Sequence, residues 1–257
     1  MTIGTRDVEG GVRVLTLKRP PANAINLEVM NDLKAACVAA QNDAAVRAVV
    51  VTGDGKFFSG GLDLKALHAG VVSAEWNAAT FGRNDGVFAL WTLPKPTMAM
   101  VNGHAIAGGA ILALACDVRV MARGGARIGL NELVIGIAPP RGAYETGRLA
   151  LTSQKMWKIG LRADLLDADT ARELGLVDEV VEPGDLEPVC FAAAQRLGSF
   201  PRDAYAHAKR LVQHEAVQAV RNETDEQIQA LVGVWTSPET TRALLAQLAS
   251  ISSTPQP

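Results

Sequence analysis

"NGHAIAGGAILALACDV", residues 102–118, opens on an Asn-Gly turn, passes two adjacent glycines, and then runs apolar as far as Asp117. From Pro96 to Cys116 there is no Asp, Glu, Lys or Arg. The preceding "TMAMV", 97–101, has the length and composition of a short buried strand. The apolar run after the glycines reads as a buried helix. Glycine weakens a helix, so Gly108 and Gly109 at its start need a physical reason. Two are open. The first N–H groups of a helix lack intrahelical partners and carry positive partial charge, and a glycine lets a ligand oxygen approach them. Alternatively, the glycines let the helix pack closely on a strand. The uncharged stretch is long enough to test as a membrane span. Pro96, the Asn102-Gly103 turn and the glycine pair interrupt it, which favours strand, turn and helix.

Working outward, the N-terminus reads as a hairpin, "IGTRDV" and "VRVLTLKR" flanking Glu9-Gly10-Gly11. Asn26 caps a helix over "LEVMNDLKAACVAAQND", "VRAVVVTG" is a buried strand, "DGKFFSGG" a loop, and "LDLKALH" turns helical. A helix through "AEWNAATFGRNDGVFALWTL" ends before Pro94, and "DVRVMA" is the strand after the glycine-opened helix. Beyond residue 139, "ETGRLA", "SQKMWKIG" and "DADTARELG" are helical, "DEVV" is a last strand, and helices cover Asp185–Leu197, Arg202–Ala219 and Glu223–Trp235. Ser237-Pro238 opens a final helix to about Ala249, followed by a frayed tail. The early part thus repeats strand–strand–helix units, and the late part is helical.

Whole-chain properties exclude several functions. With 257 residues, 48% of them hydrophobic and 20% charged, the composition is that of a folded globular chain rather than a disordered one. The formal net charge of -2 and the lack of a dense basic cluster argue against nucleic acid as a partner. Cys37, Cys116 and Cys190 are far apart and not at metal-ligand spacing, which suggests reduced thiols packed in the core of a cytoplasmic protein. No metal site is expected.

The chemistry-bearing candidates are few. "FFSGGLDL", 57–64, is a second glycine-rich corner between an apparent strand and helix. Two such corners could aim backbone N–H groups at one oxygen, where each donor is worth roughly 2.7–4 kcal/mol if an anion develops. "GDGKFF" begins like a dinucleotide loop, but Phe58 occupies the third glycine position, and Ser59 lacks the nucleophile-elbow glycine because Phe57 stands there. Glu132 sits in the mostly apolar "RIGLNELVIGIAPP". Desolvation there would raise its pKa and make it a better base near neutrality, although a solvent-facing helix-end glutamate fits the same pattern. Glu145 with Arg148 and Arg141 reads as surface pairing. His68, His104, His207 and His214 read as structural or solvated.

Five ordered blocks carry a resemblance. "PANAINLEVMNDL", "VVVTGDGKFFSGGLDLKAL", "PKPTMAMVNGHAIAGGAILALACDVRVMA", "LNELVIGI" and "ARELGLVDEVV" resemble the crotonase, or enoyl-CoA hydratase/isomerase, superfamily in order and spacing, over nearly the whole chain. The resemblance implies an α/β fold, a crotonase-type ββα spiral core over residues 1–199 with a helical C-terminal region, 200–257, used in oligomerisation. It implies an acyl-CoA thioester as substrate, with coenzyme A a part of that substrate and no separate cofactor, and a homotrimer or dimer of trimers. It places the oxyanion-holding N–H groups at Leu62 and Gly108, and CoA contacts along Gly61, Leu62, Asp63, Leu64 and Lys65 and at Gly108.

The hydratases of the superfamily place two glutamates over the substrate. One position falls on Glu132; the other, counted from Gly108, falls on Ile111, which becomes an acyl-pocket wall. The "LNE" around Glu132, "FSGGLDL" and the terminal "WTSPETTRALLAQLAS" resemble mitochondrial-type Δ3,Δ2-enoyl-CoA isomerases. The resemblance thus implies an isomerase in fatty-acid oxidation with Glu132 as its single acid/base. The alternatives are a hydratase with a substitute second acid, Glu145 being the visible candidate, and an acyl-CoA-binding protein without turnover. Chain length is left open.

Overall fold

The computed structural model describes residues 1–73 and 85–253. The expected hairpin forms from β1 (Ile3–Val8) and β2 (Val12–Leu17), antiparallel, with Gly10 and Gly11 both at positive φ in the turn. Asn26 caps α1 (Leu27–Asn42), its side chain accepting from the Val29 N–H at 3.0 Å. β3 (Ala48–Gly53), β5 (Thr97–Val101), β7 (Val118–Ala122) and β9 (Glu179–Val181) extend the hairpin into a six-stranded sheet of order β1-β2-β3-β5-β7-β9. All pairings after the first are parallel. β3 and β5 are buried along their whole length, as expected of apolar strands covered on both faces.

A second sheet corrects the sequence reading. "DGKFFSGG" is not wholly loop: Phe57–Ser59 is a strand, β4. It pairs in parallel with β6 (His104–Ile106), which pairs with β8 (Ile128–Gly129). These strands are two or three residues long, too short to show a period-2 pattern. They complete the repeat. β3, β4 and α2 (Leu64–Ser73) form one turn of a spiral; β5, β6 and α4 (Gly108–Leu114) form the next. In each turn the long strand joins the large sheet and the short one the small sheet. α3 (Gly86–Trp91) lies between the two turns and packs on α1, close enough that a side chain on Gly86 would run into the Met30 carbonyl. The first part of the long helix expected before Pro94 lies outside the described residues.

The helical part follows. α5 (Arg141–Leu151), α6 (Ser153–Arg162) and α7 (Ala168–Leu174) precede β9. Then come α8 (Leu186–Gly198), α9 (Arg202–Arg221), α10 (Asp225–Trp235) and α11 (Pro238–Ser253). α9 buries Ala206, Lys209, Gln213, Ala216 and Val220, one helical face. Lys209 meets Asp117 at 2.9 Å, and the same carboxylate oxygen accepts from Tyr205 at 3.0 Å and from the Thr97 N–H at 2.9 Å. This partly buried cluster locks α9 to the start of the spiral turn that carries residues 102–118. All three cysteines are buried and free, as their core reading anticipated. Among the described residues, no helix is long and apolar enough to cross a membrane.

Candidate active site

The two glycine-rich corners meet. Gly61 ends the first at φ +81, a left-handed conformation that glycine adopts without strain. A Cβ built on it would lie 3.2 Å from the Gly108 nitrogen. A Cβ built on Gly108 would lie 3.7 Å from the Leu62 nitrogen and 3.6 Å from the Gly61 Cα. Among the described residues, the N–H groups of Leu62 and Gly108 have no hydrogen-bonded protein acceptor. Ala107, at the cap of α4, holds φ 50 and ψ -117, an uncommon conformation for a residue with a side chain. Its N–H is tied to the Gly129 carbonyl at 2.8 Å, and its carbonyl accepts the first helical bond from Ile111 at 3.0 Å.

Both explanations of the glycine pair hold, one for each residue. A side chain on Gly109 would overlap the Ser59 carbonyl oxygen and approach its Cβ to 3.0 Å, so Gly109 permits close packing of α4 on β4. A Cβ on Gly108 would make only ordinary contacts, with Ile25 Cδ1 at 3.8 Å among them, and would project into the corner beside Leu62. Gly108 is therefore not required by packing.

A cavity of about 340 Å³ opens at this corner. Leu62, Leu64, Gly108, Ile111 and Glu132 all line it, joined by Ile25, Met30 and Phe88 on an apolar wall. Gly61, Asp63 and Lys65, expected to contact CoA, are not among its lining residues. Asp63 instead accepts from the Lys65 and Ala66 N–H groups, both at 3.0 Å, and pairs with Arg19 at 2.5 Å. Burial opposes ionisation of Asp63, but the Ala66 N–H and the Arg19 guanidinium outweigh it and hold the carboxyl below its usual range. Its carboxylate fixes the turn into α2. Lys65 is exposed.

Glu132 begins a short 3-10 turn, Glu132–Ile135, closed by Gly136 at φ 71. Burial of its carboxyl lifts the pKa from 4.5 to about 7, only partly offset by its own backbone N–H. Glu132 is half-buried and lines the cavity, while the neighbouring Leu133 and Val134 are exposed, so its surroundings favour the desolvated reading over the solvent-facing one. Thr240 donates to the Gly136 carbonyl at 3.0 Å, and Trp235 Nε1 to the Ala138 carbonyl at 2.8 Å, clamping the turn from the C-terminal helices. Leu67, Ile137, Trp235 and Leu244 form a small separate core, with Leu62 and Leu64 packed against it. One cluster thus positions both the Leu62 corner and the Glu132 turn.

Glu145 is a correction. The pairing with Arg141 and Arg148 forms, at 3.0 and 2.7 Å, but the Glu145 side chain is only 4% exposed rather than on the surface. It is not among the cavity-lining residues. His104 has the structural role expected: its Nδ1 accepts from the Arg127 N–H at 3.1 Å and its ring lies 5.0 Å from that of Phe57. Two contributions escaped the sequence reading. Trp235, Gln247 and Ile251 of the C-terminal helices help line the cavity. So does Asp85, buried at 9% exposure and capping α3. Its position after a helical-looking stretch gave no sign that it faced the same space as Glu132.

A doubly layered spiral with two backbone donors at the mouth of an apolar cavity, and the desolvated Glu132 carboxyl beside it, is the arrangement of the crotonase class. The family model for enoyl-CoA hydratase/isomerase matches residues 7–244, and the chain belongs to that family of acyl-CoA-processing enzymes. It is 33% identical over 206 residues to the probable enoyl-CoA hydratase echA17 of Mycobacterium avium, covering 80% of this chain and 79% of that one. It is 34% identical over 207 residues to a probable enoyl-CoA hydratase of Rhizobium meliloti, again covering 80% and 79%. In fold it is similar to human mitochondrial Δ3,Δ2-enoyl-CoA isomerase, with a TM-score of 0.90, 24% identity and 98% of each chain covered. An enoyl-CoA isomerase of Mycobacterium tuberculosis gives a TM-score of 0.77 at 28% identity, covering 90% of this chain and 98% of that one.

Proposed function

We propose that this protein is a Δ3,Δ2-enoyl-CoA isomerase with Glu132 as its single acid/base. The Glu132 carboxylate takes a proton from C2 of a 3-enoyl-CoA. The C2–H electron pair moves into the dienolate, whose charge collects on the thioester oxygen between the Leu62 and Gly108 N–H groups. Glu132 then returns the proton to C4, and the double bond lies between C2 and C3. Atoms balance with no water and no further reactant. A base with a pKa near neutrality suits this task, because it is substantially ionised yet basic enough to accept the proton.

The observation that carries the reading is Ile111, buried at 4% exposure and lining the cavity at the position where the resemblance puts the hydratases' second glutamate. An isoleucine there can neither position nor protonate a water, and it keeps water away from Glu132. Glu145, the candidate substitute, is held between two arginines and does not line the cavity. The second reading, a hydratase, is favoured by the names of the curated relatives. Parallel assays of one preparation on 3-enoyl-CoA and 2-enoyl-CoA separate the two. Double-bond migration with feeble hydration supports the isomerase; rapid formation of the 3-hydroxyacyl product from 2-enoyl-CoA overturns it.

The proposed assembly is a homotrimer or a dimer of trimers. In support, Val134, Trp157 and Leu161 are 55%, 70% and 54% exposed in a single chain, an apolar set that a subunit contact would cover. Light scattering at low micromolar concentration tests this, and a monomer alone would refute it. A cytoplasmic location, without a metal or redox cofactor, completes the proposal; the three unpaired, buried thiols are consistent with that compartment.

A further inference from the structure

The acyl cavity meets a second carboxyl. From Gly108 its wall passes Ile25, whose Cδ1 lies 3.8 Å from a Cβ built on Gly108, and continues along α1 to Met30. The Met30 carbonyl abuts the Cα of Gly86, and Asp85 precedes it. Asp85 therefore lies on the cavity wall beyond the oxyanion corner, among Met30, Val87 and Phe88. Its Oδ1 accepts from the Phe88 N–H at 2.7 Å and caps α3.

Capping alone does not call for a carboxylate here. Serine caps a helix about as well as aspartate and places no charge against an apolar wall. Burial raises the Asp85 pKa to about 6, against the opposing influence of the Phe88 and Val87 N–H groups and of Lys34. A carboxylate has roughly four acceptor sites, of which these two N–H groups use two. Among the described residues no further donor to the carboxyl is present, which leaves acceptor capacity at the cavity wall that a plain hydrocarbon chain would not meet.

We propose that Asp85 is a specificity-determining residue that accepts a hydrogen bond from a hydroxyl on the acyl chain, so that the preferred substrates are hydroxyl-bearing enoyl-CoA thioesters. This rests on the acyl-CoA reading of the cavity but not on the choice between isomerase and hydratase. A hydroxyl donating to the carboxylate replaces the hydrogen bond it leaves in water. The unsubstituted chain instead strips water from Asp85 without replacement.

The test is calorimetric titration of the full chain with saturated acyl-CoA thioesters of about four, six and eight carbons, each with and without a terminal hydroxyl. At the length that reaches Asp85, the hydroxyl should strengthen binding about tenfold, as expected for a hydrogen bond to a charged group. In Asp85→Ser, which keeps the cap, that margin should fall below about twofold. Should Asp85→Ser not fold, Asp85→Asn retains both shape and cap and should also narrow the margin. Equal affinity for both chains at every length in the parent, or an undiminished margin in the folded variants, overturns the assignment while leaving the acyl-CoA site standing. Failure of every thioester to bind would instead remove the acyl-CoA reading, and this proposal with it.

Discussion

Gly108 and Leu62 belong to different turns of the spiral, 46 positions apart in the chain, yet a methyl group on Gly108 would stand 3.7 Å from the Leu62 nitrogen. The same methyl meets no backbone atom closer than 3.6 Å. Gly108→Ala should therefore fold normally, with stability within about 0.5 kcal/mol of the parent. Its methyl would crowd the thioester oxygen, and the rate should fall by about 10²-fold, the scale of losing one oxyanion donor. Thermal melts and initial rates on one preparation check both halves.

Gly109 should behave in the opposite way. A methyl there overlaps the Ser59 carbonyl and must push α4 off β4. Gly109→Ala should cost at least ~1–3 kcal/mol, as overpacking does in well-filled interiors. Denaturant unfolding measures it. Equal stability of the two alanine variants would mean that the glycines do not divide their roles as described.

The raised pKa of Glu132 has a consequence independent of turnover. In the unfolded chain the group titrates near 4.5, and in the folded protein near 7. Between those values the folded state binds more protons, so this residue favours folding at low pH and that contribution is lost as pH rises through 7. Glu132→Gln removes the loss. Its Tm should exceed that of the parent at pH 8 and match it near pH 4, as scanning calorimetry at the two pH values would show. In the parent, kcat/KM should rise with pH toward a plateau above about 7, because the base must be ionised.

Thr240 is a positioning residue for Glu132. Its buried hydroxyl lies 3.0 Å from the Gly136 carbonyl and 2.8 Å from that of Val234, its single proton shared between the two, and so ties α11 to the Glu132 turn. Thr240→Val should cost about 1 kcal/mol of stability. If the turn relaxes, kcat should fall by about tenfold or more, since displacements near 1 Å can cost up to ~10²-fold. Acyl-CoA affinity and the pH midpoint should stay unchanged, because the backbone donors and the carboxyl are intact. Rescue by Thr240→Ser would attribute the loss to the hydroxyl.

The sequence disclosed those parts of the protein whose signal is local. β3, β5 and α1 carry long apolar runs or a capping residue, and the glycine corners mark themselves. β4, β6 and β8 pass unseen because two or three residues cannot display alternation. Glu145 reads as a surface residue because its i−4 and i+3 arginines look like an exposed helix face; burial came from packing of α5, which no local pattern reports. Asp85 and Trp235 reach the cavity only through tertiary folding. The position of Glu132 was legible, but the desolvation that makes it a base was legible only as one of two alternatives.

The most direct test of the account is exchange of the C2 protons of a bound acyl-CoA with heavy water, followed by NMR in the parent and in Glu132→Gln. Exchange requires proton removal but no product. The parent should exchange rapidly, and Glu132→Gln should be slower by roughly 10²–10⁴-fold, the usual contribution of a positioned acid/base group. Its affinity for the thioester should be nearly unchanged, since Leu62 and Gly108 bind through their backbones. Undiminished exchange in a folded Glu132→Gln variant that still binds acyl-CoA would contradict the account.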